Sequence, residues 1–217
     1  MKAVYIEEHG GPEVLVYGDR PEPMVSLDQV KIRVKASSLN RLDLYTRAGG
    51  RGLKRDFPPP LILGGDCSGD VVDVGDKVDQ LSMGDRVLVN PRLSCNMCPT
   101  CVSGRDDLCS KSTFMGSAVD GSYAEFVTVP AINVHRISPD VTYDQAAAVP
   151  TTFLPVWNMM VRRAQLKPWE TVLVLSASAG VGTAAIQVAK QVIGAKVIAT
   201  TSTAEKVIQA KNWGADE

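Results

Sequence analysis

The stretch TVLVLSASAGVGTAAIQVAKQVIGAKVIAT, residues 171–200, decides the fold of this chain. It opens with a continuous apolar run, TVLVL, which is typical of a strand buried on both faces of a parallel sheet. A glycine-containing turn follows. From Gly180 the apolar residues recur at helical spacing, and Gly194 stands where a helix C-cap belongs. KVIAT predicts a second strand, and residues 203–213 predict a second helix before Gly214. This order, opened by a glycine-rich turn, is typical of a unit that places a pyrophosphate at a helix N-terminus.

The turn itself departs from the dinucleotide-binding fingerprint G-x-G-x-x-G. Alanine occupies the first two glycine positions, and only Gly182 stays in frame. A glycine-rich helix start in another kind of α/β protein is therefore an open alternative. The candidate cofactor-binding residues of the turn are Ala177, Ala179, Gly180, Val181 and Gly182.

The end of the second strand bears on which cofactor is used. NAD-binding proteins of this type place an acidic residue about 20 positions after the turn, where it binds the ribose 2′-hydroxyl. Here Thr201 and Ser202 stand at that place, and Lys206 follows one helical turn later. Hydroxyl groups and a cation suit a 2′-phosphate, so the sequence favours NADP(H) over NAD(H). The alternative for Lys206 is an ordinary solvated helix lysine.

The first 90 residues have the pattern of a β-rich domain. Val30, Ile32 and Val34 alternate with charged residues, which predicts a half-buried strand. The FPPP segment at 57–60 predicts a rigid connector. Strands are predicted at 3–6, 14–17, 30–36, 71–74 and 86–89, with a turn at 9–12. This spacing favours a compact barrel or sandwich.

Composition excludes several functional classes. The chain has 217 residues, 45% of them hydrophobic, and a formal net charge of −1 with no long block of like charge. A disordered chain and a nucleic-acid or membrane-surface partner are therefore not expected. No apolar run reaches the roughly 18 residues of a membrane span, and the first ten residues lack the apolar core of a signal peptide. We expect a cytoplasmic protein.

The segment LSCNMCPTCVSGRDDLC carries the strongest local signal. It holds Cys95, Cys98, Cys101 and Cys109, spaced C-x2-C-x2-C-x7-C. Four thiolates with this spacing can complete a tetrahedron around Zn²⁺ and leave no open position, which predicts a structural zinc. Iron–sulfur ligation is the main alternative, although ferredoxin-like runs continue x3-C-P. A set of buried thiols that bind no metal is the second alternative. Cys67 is the one cysteine outside the cluster.

Taken together, the motifs resemble the medium-chain dehydrogenase/reductase superfamily, which contains zinc alcohol dehydrogenases and quinone oxidoreductases. The motifs that carry the resemblance are, in chain order, MKAVYIEEHGGPEVL, ASSLNRLDLYTRAG, GGDCSGDVVDVG, GDRV, the four-cysteine lobe, GSYAEFVTVP, AAAVPTTFLPVW and GVGTAAIQVAK. The resemblance implies a GroES-like β-barrel catalytic domain over 1–150, with the structural zinc lobe at 91–112. It also implies the first half of a Rossmann fold over 151–217, an active site between the two domains, and a homo-oligomer.

Zinc alcohol dehydrogenases of this family bind a catalytic zinc through three further ligands. At the matching positions this sequence has Asn40, Gly65 and Thr151. None of them supplies the thiolate or imidazole that an open zinc site needs, so a catalytic zinc is not expected. Asp66 and Cys67 offer a displaced metal site, but a carboxylate beside a small buried hydrophobic residue is the more ordinary interpretation.

The resemblance also implies a chemistry. Asn40, Asp43 and Tyr45 reproduce the N-x-x-D-x-Y pattern of the quinone oxidoreductase branch, in which hydride passes from a nicotinamide to a quinone or enone. Asn40 or Tyr45 would then donate a hydrogen bond to the accepting oxygen. Packing within the barrel is the alternative role for Tyr45. The predicted catalytic residues are Asn40, Asp43, Tyr45, Asp66 and Thr151. The alternatives are an NAD(P)-dependent zinc alcohol dehydrogenase acting on a small carbonyl or alcohol, and a catalytically silent relative that binds nucleotide or a partner.

A full Rossmann sheet has six strands, whereas the sequence supplies two of them before residue 217. We therefore expect a truncated member of the superfamily, with its first Rossmann strand lacking one neighbour.

Overall fold

The computed structural model describes residues 1–50 and 60–217, so most of the predicted FPPP connector lies outside the described residues. The chain divides into two compact units, Met1–Pro150 and Thr151–Glu217. None of the helices in the described ranges is long and apolar enough to cross a membrane.

The first unit is built from antiparallel strands joined by turns and short helices. Its elements are β1 (Lys2–Ile6), β2 (Val16–Asp19), β3 (Gln29–Ser37), α1 (Arg41–Ala48), β4 (Leu61–Ile62), β5 (Cys67–Val74), β6 (Arg86–Val89), β7 (Arg92–Leu93), α2 (Pro99–Val102), β8 (Thr113–Phe114), β9 (Phe126–Pro130), β10 (Val134–Arg136) and α3 (Tyr143–Ala147). One sheet has the order β10-β6-β5-β3-β9, a second has the order β2-β1-β4, and β7 pairs with β8. This is the β-rich architecture that the turn spacing predicts.

Strand β3 confirms the alternation read from the sequence. Val30 and Ile32 are fully buried, whereas Arg33 and Lys35 face solvent. The buried residues pack with Val71 of β5 and Val87 of β6 in one apolar core. β3 is an interior strand that lies between β5 and β9, and the loop after it leads into α1.

The predicted strand at 14–17 is wrong in its bounds. Pro12–Val14 forms a short 3-10 helix, and β2 begins only at Val16. Pro12 fixes its own φ near helical values and stands at the start of this helix, so the chain turns before it becomes extended.

The second unit follows the predicted order. Helix α4 (Pro150–Trp157), which begins at the last residue of the first unit, is continued by the π-helical residues Asn158–Arg163. The unit then contains β11 (Thr171–Val174), α5 (Gly180–Gln187) with a π-helical continuation over Val188–Ile193, β12 (Lys196–Ala199) and α6 (Ala204–Trp213). β11 and β12 pair in parallel, with Val172 opposite Val197. Gly194 and Gly214 end their helices with φ values of +84° and +117°, as their positions predict.

The expected burial of β11 on both faces is not observed. Val174 is buried in the core, but Leu173 is 58% exposed. Side chains alternate along a strand, and the core formed with α5 and α6 contains the side chains of one face only. The apolar run therefore predicts the strand correctly, but the expectation that both faces of the strand are buried is wrong.

Candidate active site and metal centre

The four predicted cysteine ligands meet in the loop between β7 and β8. The Sγ atoms of Cys98 and Cys101 are 3.4 Å apart, those of Cys109 and Cys95 are 3.5 Å apart, and those of Cys95 and Cys101 are 3.9 Å apart. All four lie within 4.8 Å of one another. Thiolates about 2.3 Å from a tetrahedral zinc ion stand about 3.8 Å apart, so the four thiols have the dimensions of a closed zinc site.

Local surroundings shift the pKa values of Cys95 and Cys101 in opposite directions. Backbone N–H groups of Met97 and Cys98 lower the pKa of Cys95 to about 6. Burial, followed by the neighbouring Cys98 thiol, raises the pKa of Cys101 to about 12. A cation that binds all four sulfurs must therefore displace a proton from Cys101, which couples metal binding to proton release.

Sequence reasoning missed the residue that ties this lobe to the strand before it. Nη2 of Arg92 donates to the carbonyl oxygen of Asp107 at 2.9 Å and to Ser112 Oγ at 2.9 Å. These two contacts lie on either side of Cys109 in the chain. Arg92 therefore fixes the end of the long excursion between the third and fourth cysteines.

A second polar cluster surrounds Asp66, which is completely buried. Its Oδ2 atom accepts hydrogen bonds from Asn40 Nδ2 at 3.0 Å and from Ser38 Oγ at 3.2 Å. Its backbone oxygen accepts a further bond from Ser122 Oγ at 3.1 Å. The structure thus brings together Asn40 and Asp66 and adds Ser38 and Ser122, which sequence reasoning did not single out as site residues.

Asp43 lies beside this cluster and fixes the start of α1. Its Oδ2 atom accepts the backbone N–H of Asn40 at 2.7 Å and the hydroxyl of Tyr123 at 3.0 Å. Burial raises the pKa of Asp43, and these hydrogen bonds oppose that effect in part. Burial, followed by the Asp43 charge, raises the pKa of Tyr123. Asn40 and Asp43 together form an N-terminal cap, in which a side chain three residues into the helix bonds back to the N-cap.

The remaining predicted catalytic residues are placed as follows. Tyr45 is half-buried on α1, and Gly65 is buried immediately before Asp66. Thr151 belongs to the second unit. Burial and then the Asp66 charge raise the pKa of Cys67 to about 12, so this thiol is protonated at neutral pH. Within residues 1–50 and 60–217, the four-cysteine set is the one grouping of three or more candidate metal ligands.

The glycine-rich turn has a close contact that explains its one surviving glycine. A Cβ on Gly182 would lie 2.4 Å from the backbone oxygen of Ser176 and 2.9 Å from Cα of Ala177. Helix α5 therefore packs too closely against the turn for any side chain at this position, as the third glycine of the fingerprint requires. Ala177 is buried, and its N–H donates to Thr200 at 2.9 Å. Ala179 is the exposed N-cap, and Gly180 and Val181 begin the helix.

The structure brings together two of the three residues predicted to select the cofactor. Nζ of Lys206 lies 3.5 Å from Ser202 Oγ, at the start of α6. The Thr203 side chain caps this helix by accepting the N–H of Lys206 at 3.3 Å. Oγ1 of Thr201 is buried and has no hydrogen-bond partner among the described residues.

Comparison with known proteins defines the class of protein that carries these sites. The family model of the alcohol dehydrogenase GroES-like domain matches residues 26–139, more than half of the chain. The chain therefore belongs to the medium-chain dehydrogenase/reductase superfamily and consists of a GroES-like domain followed by a partial Rossmann half.

Particular relatives match over the whole of this chain. An NAD-dependent alcohol dehydrogenase of Saccharolobus solfataricus is 35% identical, over 100% of this chain and 63% of that protein. A crystal structure of an NAD-dependent alcohol dehydrogenase is 41% identical, with a TM-score of 0.95 over 100% of this chain and 62% of the other. A quinone oxidoreductase of Pseudomonas syringae pv. Tomato DC3000 is 33% identical, with a TM-score of 0.79 over 100% of this chain and 57% of the other. The chain thus spans about three fifths of the length of these relatives.

Proposed function

We propose that this protein is a zinc-containing, pyridine-nucleotide-dependent oxidoreductase that transfers hydride to a quinone or an activated C=C or C=O bond without a catalytic zinc. One observation carries the proposal. The closed four-thiol set is complete, whereas the positions that match the catalytic ligands hold Asn40, Gly65 and Thr151. In this proposal a structural metal stabilises the four-thiol lobe, and the three matching positions supply no thiolate or imidazole to hold a second metal beside the substrate.

A bound nicotinamide supplies the hydride in this proposal. The residues of the chain bind and orient the reactants. The turn around Gly182 allows the close packing of α5 that dinucleotide binding requires, and the N-terminus of α5 offers backbone N–H groups to a pyrophosphate. Asp43 and its partners hold the first turn of α1 in place and thereby position Asn40 and Tyr45.

We propose further that NADP(H) is preferred over NAD(H). The support is the pairing of the Lys206 ammonium with the Ser202 hydroxyl, together with the buried Thr201 hydroxyl, which has no hydrogen-bond partner in the part of the chain that the structure describes. An ammonium and hydroxyl groups match the charge and hydrogen-bonding capacity of a 2′-phosphate. The names of the NAD-dependent relatives favour the opposite preference, which makes the comparison of the two cofactors informative.

The metal of the four-thiol site is proposed to be structural Zn²⁺, held by Cys95, Cys98, Cys101 and Cys109. Free thiols at these distances suit a reducing compartment, so the proposed location is the cytoplasm. The proposal includes a small-molecule quinone, enone or carbonyl substrate and a homo-oligomer, whose size light scattering after gel filtration would measure.

The second candidate is an NAD(P)-dependent zinc alcohol dehydrogenase, which the names of the two alcohol dehydrogenase relatives favour. Two assays separate the candidates: oxidation of NADPH and NADH with a panel of quinones and enones, and reduction of NADP+ and NAD+ with ethanol. We expect reductase activity that survives a chelator mild enough to spare the closed thiol site, and poor alcohol oxidation. Ethanol oxidation that disappears on chelation and returns with zinc would support the second candidate. Nucleotide binding without turnover of any substrate would identify a silent relative.

A further inference from the structure

The four thiols of the lobe between β7 and β8 are arranged as two close pairs. The Sγ atoms of Cys98 and Cys101 are 3.4 Å apart, and those of Cys95 and Cys109 are 3.5 Å apart. Between the pairs, the Sγ atoms of Cys95 and Cys101 are 3.9 Å apart. Each sulfur belongs to one close pair, so the lobe offers two disulfide bonds that share no atom.

The pair formed by Cys98 and Cys101 lies nearer to solvent than the other pair. Both residues are half-buried, and the side chains beside them, Met97 and Val102, are 79% and 75% exposed. Cys109, by contrast, is buried. A small oxidant dissolved in water therefore reaches Cys98 and Cys101 before it reaches a complete second pair.

The backbone at the first pair is compatible with a direct bond between the sulfurs. Cys98 is the N-cap of α2 and Cys101 lies within its single turn, with two residues between them. This C-x-x-C spacing is the one that dithiol redox motifs use. A disulfide bond is about 2.05 Å long, so the two sulfurs, now 3.4 Å apart, approach by about 1.4 Å when the bond forms.

We propose that Cys98 and Cys101 are a redox-modification site, at which hydrogen peroxide oxidises the two thiolates to a disulfide and so releases the metal of the lobe. One thiolate attacks a peroxide oxygen, the O–O bond breaks, and the leaving hydroxide takes a proton to form water. The second thiolate attacks the resulting sulfenic acid, the S–O bond breaks, and a second hydroxide leaves and is protonated to water. Two electrons pass from the sulfurs to the peroxide, and no other reactant is needed.

Oxidation of this pair has a direct consequence for the lobe. The thiolate is the form of cysteine that binds a metal, so a disulfide removes two of the four ligands. Because metal affinity contributes to folding free energy at such a site, the lobe becomes less stable. A dithiol reductant restores the ligands. The inference rests on the structural zinc of the proposed function.

The test adds hydrogen peroxide in steps to the zinc-loaded wild-type protein. Released zinc is measured with a chromogenic chelator, and the remaining thiols are alkylated before digestion with trypsin. Cleavage after Arg92, Arg105 and Lys111 yields peptide 93–105, which contains Cys95, Cys98 and Cys101, and peptide 106–111, which contains Cys109.

The expected first product is peptide 93–105 with two hydrogens lost and the alkyl group on Cys95, as its fragmentation shows. It should appear together with the loss of one zinc per chain. A cross-link between the two peptides, through Cys95 and Cys109, should follow only at higher peroxide. Dithiothreitol with added zinc should restore both the thiols and the metal.

Two controls separate this reaction from other oxidation. Met97 is exposed and lies in the same peptide, so Met97→Leu removes its sulfoxide as a cause and should release zinc as wild type does. Cys67 is fully buried outside the lobe and should remain a thiol in the same samples.

The outcomes distinguish the inference from the zinc proposal. Zinc that stays bound while peroxide oxidises Met97 would refute the inference and leave the zinc proposal standing. A cross-linked first product, or sulfinic acid in place of a disulfide, would also overturn the inference. Absence of zinc before any oxidant is added would refute the zinc proposal and the release of metal, and the peptide map would still decide the pairing.

Discussion

Substitution of Gly182 by alanine tests how closely α5 packs against the nucleotide-binding turn. The new Cβ would lie 2.4 Å from the backbone oxygen of Ser176, which is 1.0 Å short of the 3.4 Å at which ordinary contacts begin. The obstacle is backbone, so relief requires that the turn or the helix move. Overpacking of this kind costs about 1–3 kcal/mol. The higher helix propensity of alanine returns at most about 1 kcal/mol. We expect Gly182→Ala to lower the free energy of unfolding of the second unit by about 1–2 kcal/mol, and to weaken nucleotide binding.

The assay is urea unfolding followed by tryptophan fluorescence. All three tryptophans lie in the second unit, and Trp213 packs against its core, so the signal reports on this unit. Gly180→Ala is the matched control, because among the described residues one atom alone comes within 4 Å of its new Cβ, a side-chain methyl of Thr152 at 2.9 Å. This control should stay within about 1 kcal/mol of wild type. Equal stability of the two variants would refute the close-packing argument.

Three further predictions address the metal, the cofactor and a buried acid. Cys98→Ser should lose bound zinc and unfold at a lower temperature than wild type, because metal affinity contributes to folding free energy here. The control Ser110→Ala, beside the fourth ligand, should keep its zinc and its wild-type midpoint of thermal unfolding. Retention of zinc by Cys98→Ser would contradict the ligand set. Titration calorimetry should show that Lys206→Ala weakens NADPH binding roughly tenfold and leaves NADH binding unchanged. The control Lys211→Ala, at an exposed position of the same helix, should bind both cofactors as wild type does. Equal NADPH affinity in all three proteins would refute the proposed contact between Lys206 and the 2′-phosphate. Burial raises the folded-state pKa of Asp43 above its ordinary value of 3.8, so its contribution to stability is present below that value and is lost as pH rises through the raised pKa. Urea unfolding from acidic to neutral pH should show wild type losing stability relative to Asp43→Asn over this window, and a constant difference would argue against the shift.

Local pattern was enough to predict the parts of the fold that depend on local forces. The apolar run, the helical spacing and the two glycines with positive φ predict β11, α5, β12 and α6. Cysteine spacing predicts the four-thiol cluster, because a tight turn brings thiols three residues apart onto one side of the chain. In each case the determining contacts lie close together along the chain.

Contacts between distant parts of the chain were not accessible from the sequence. Tyr123 lies 80 residues from Asp43, and Ser38 lies 28 residues from Asp66, so local pattern does not show that these side chains meet. The hydrogen bond from the Asn40 amide to Asp66 likewise joins residues 26 positions apart, and no local pattern indicates it. The exposure of Leu173 depends on what covers the second face of its sheet, which an apolar run does not specify.

Metal content of the purified wild-type protein tests the central claim most directly, namely that this chain retains a four-thiolate zinc site and has no catalytic zinc. Elemental analysis by mass spectrometry should give one zinc per chain, and this zinc should be lost in Cys98→Ser. Two zinc ions per chain, or iron with visible absorption, would contradict the account.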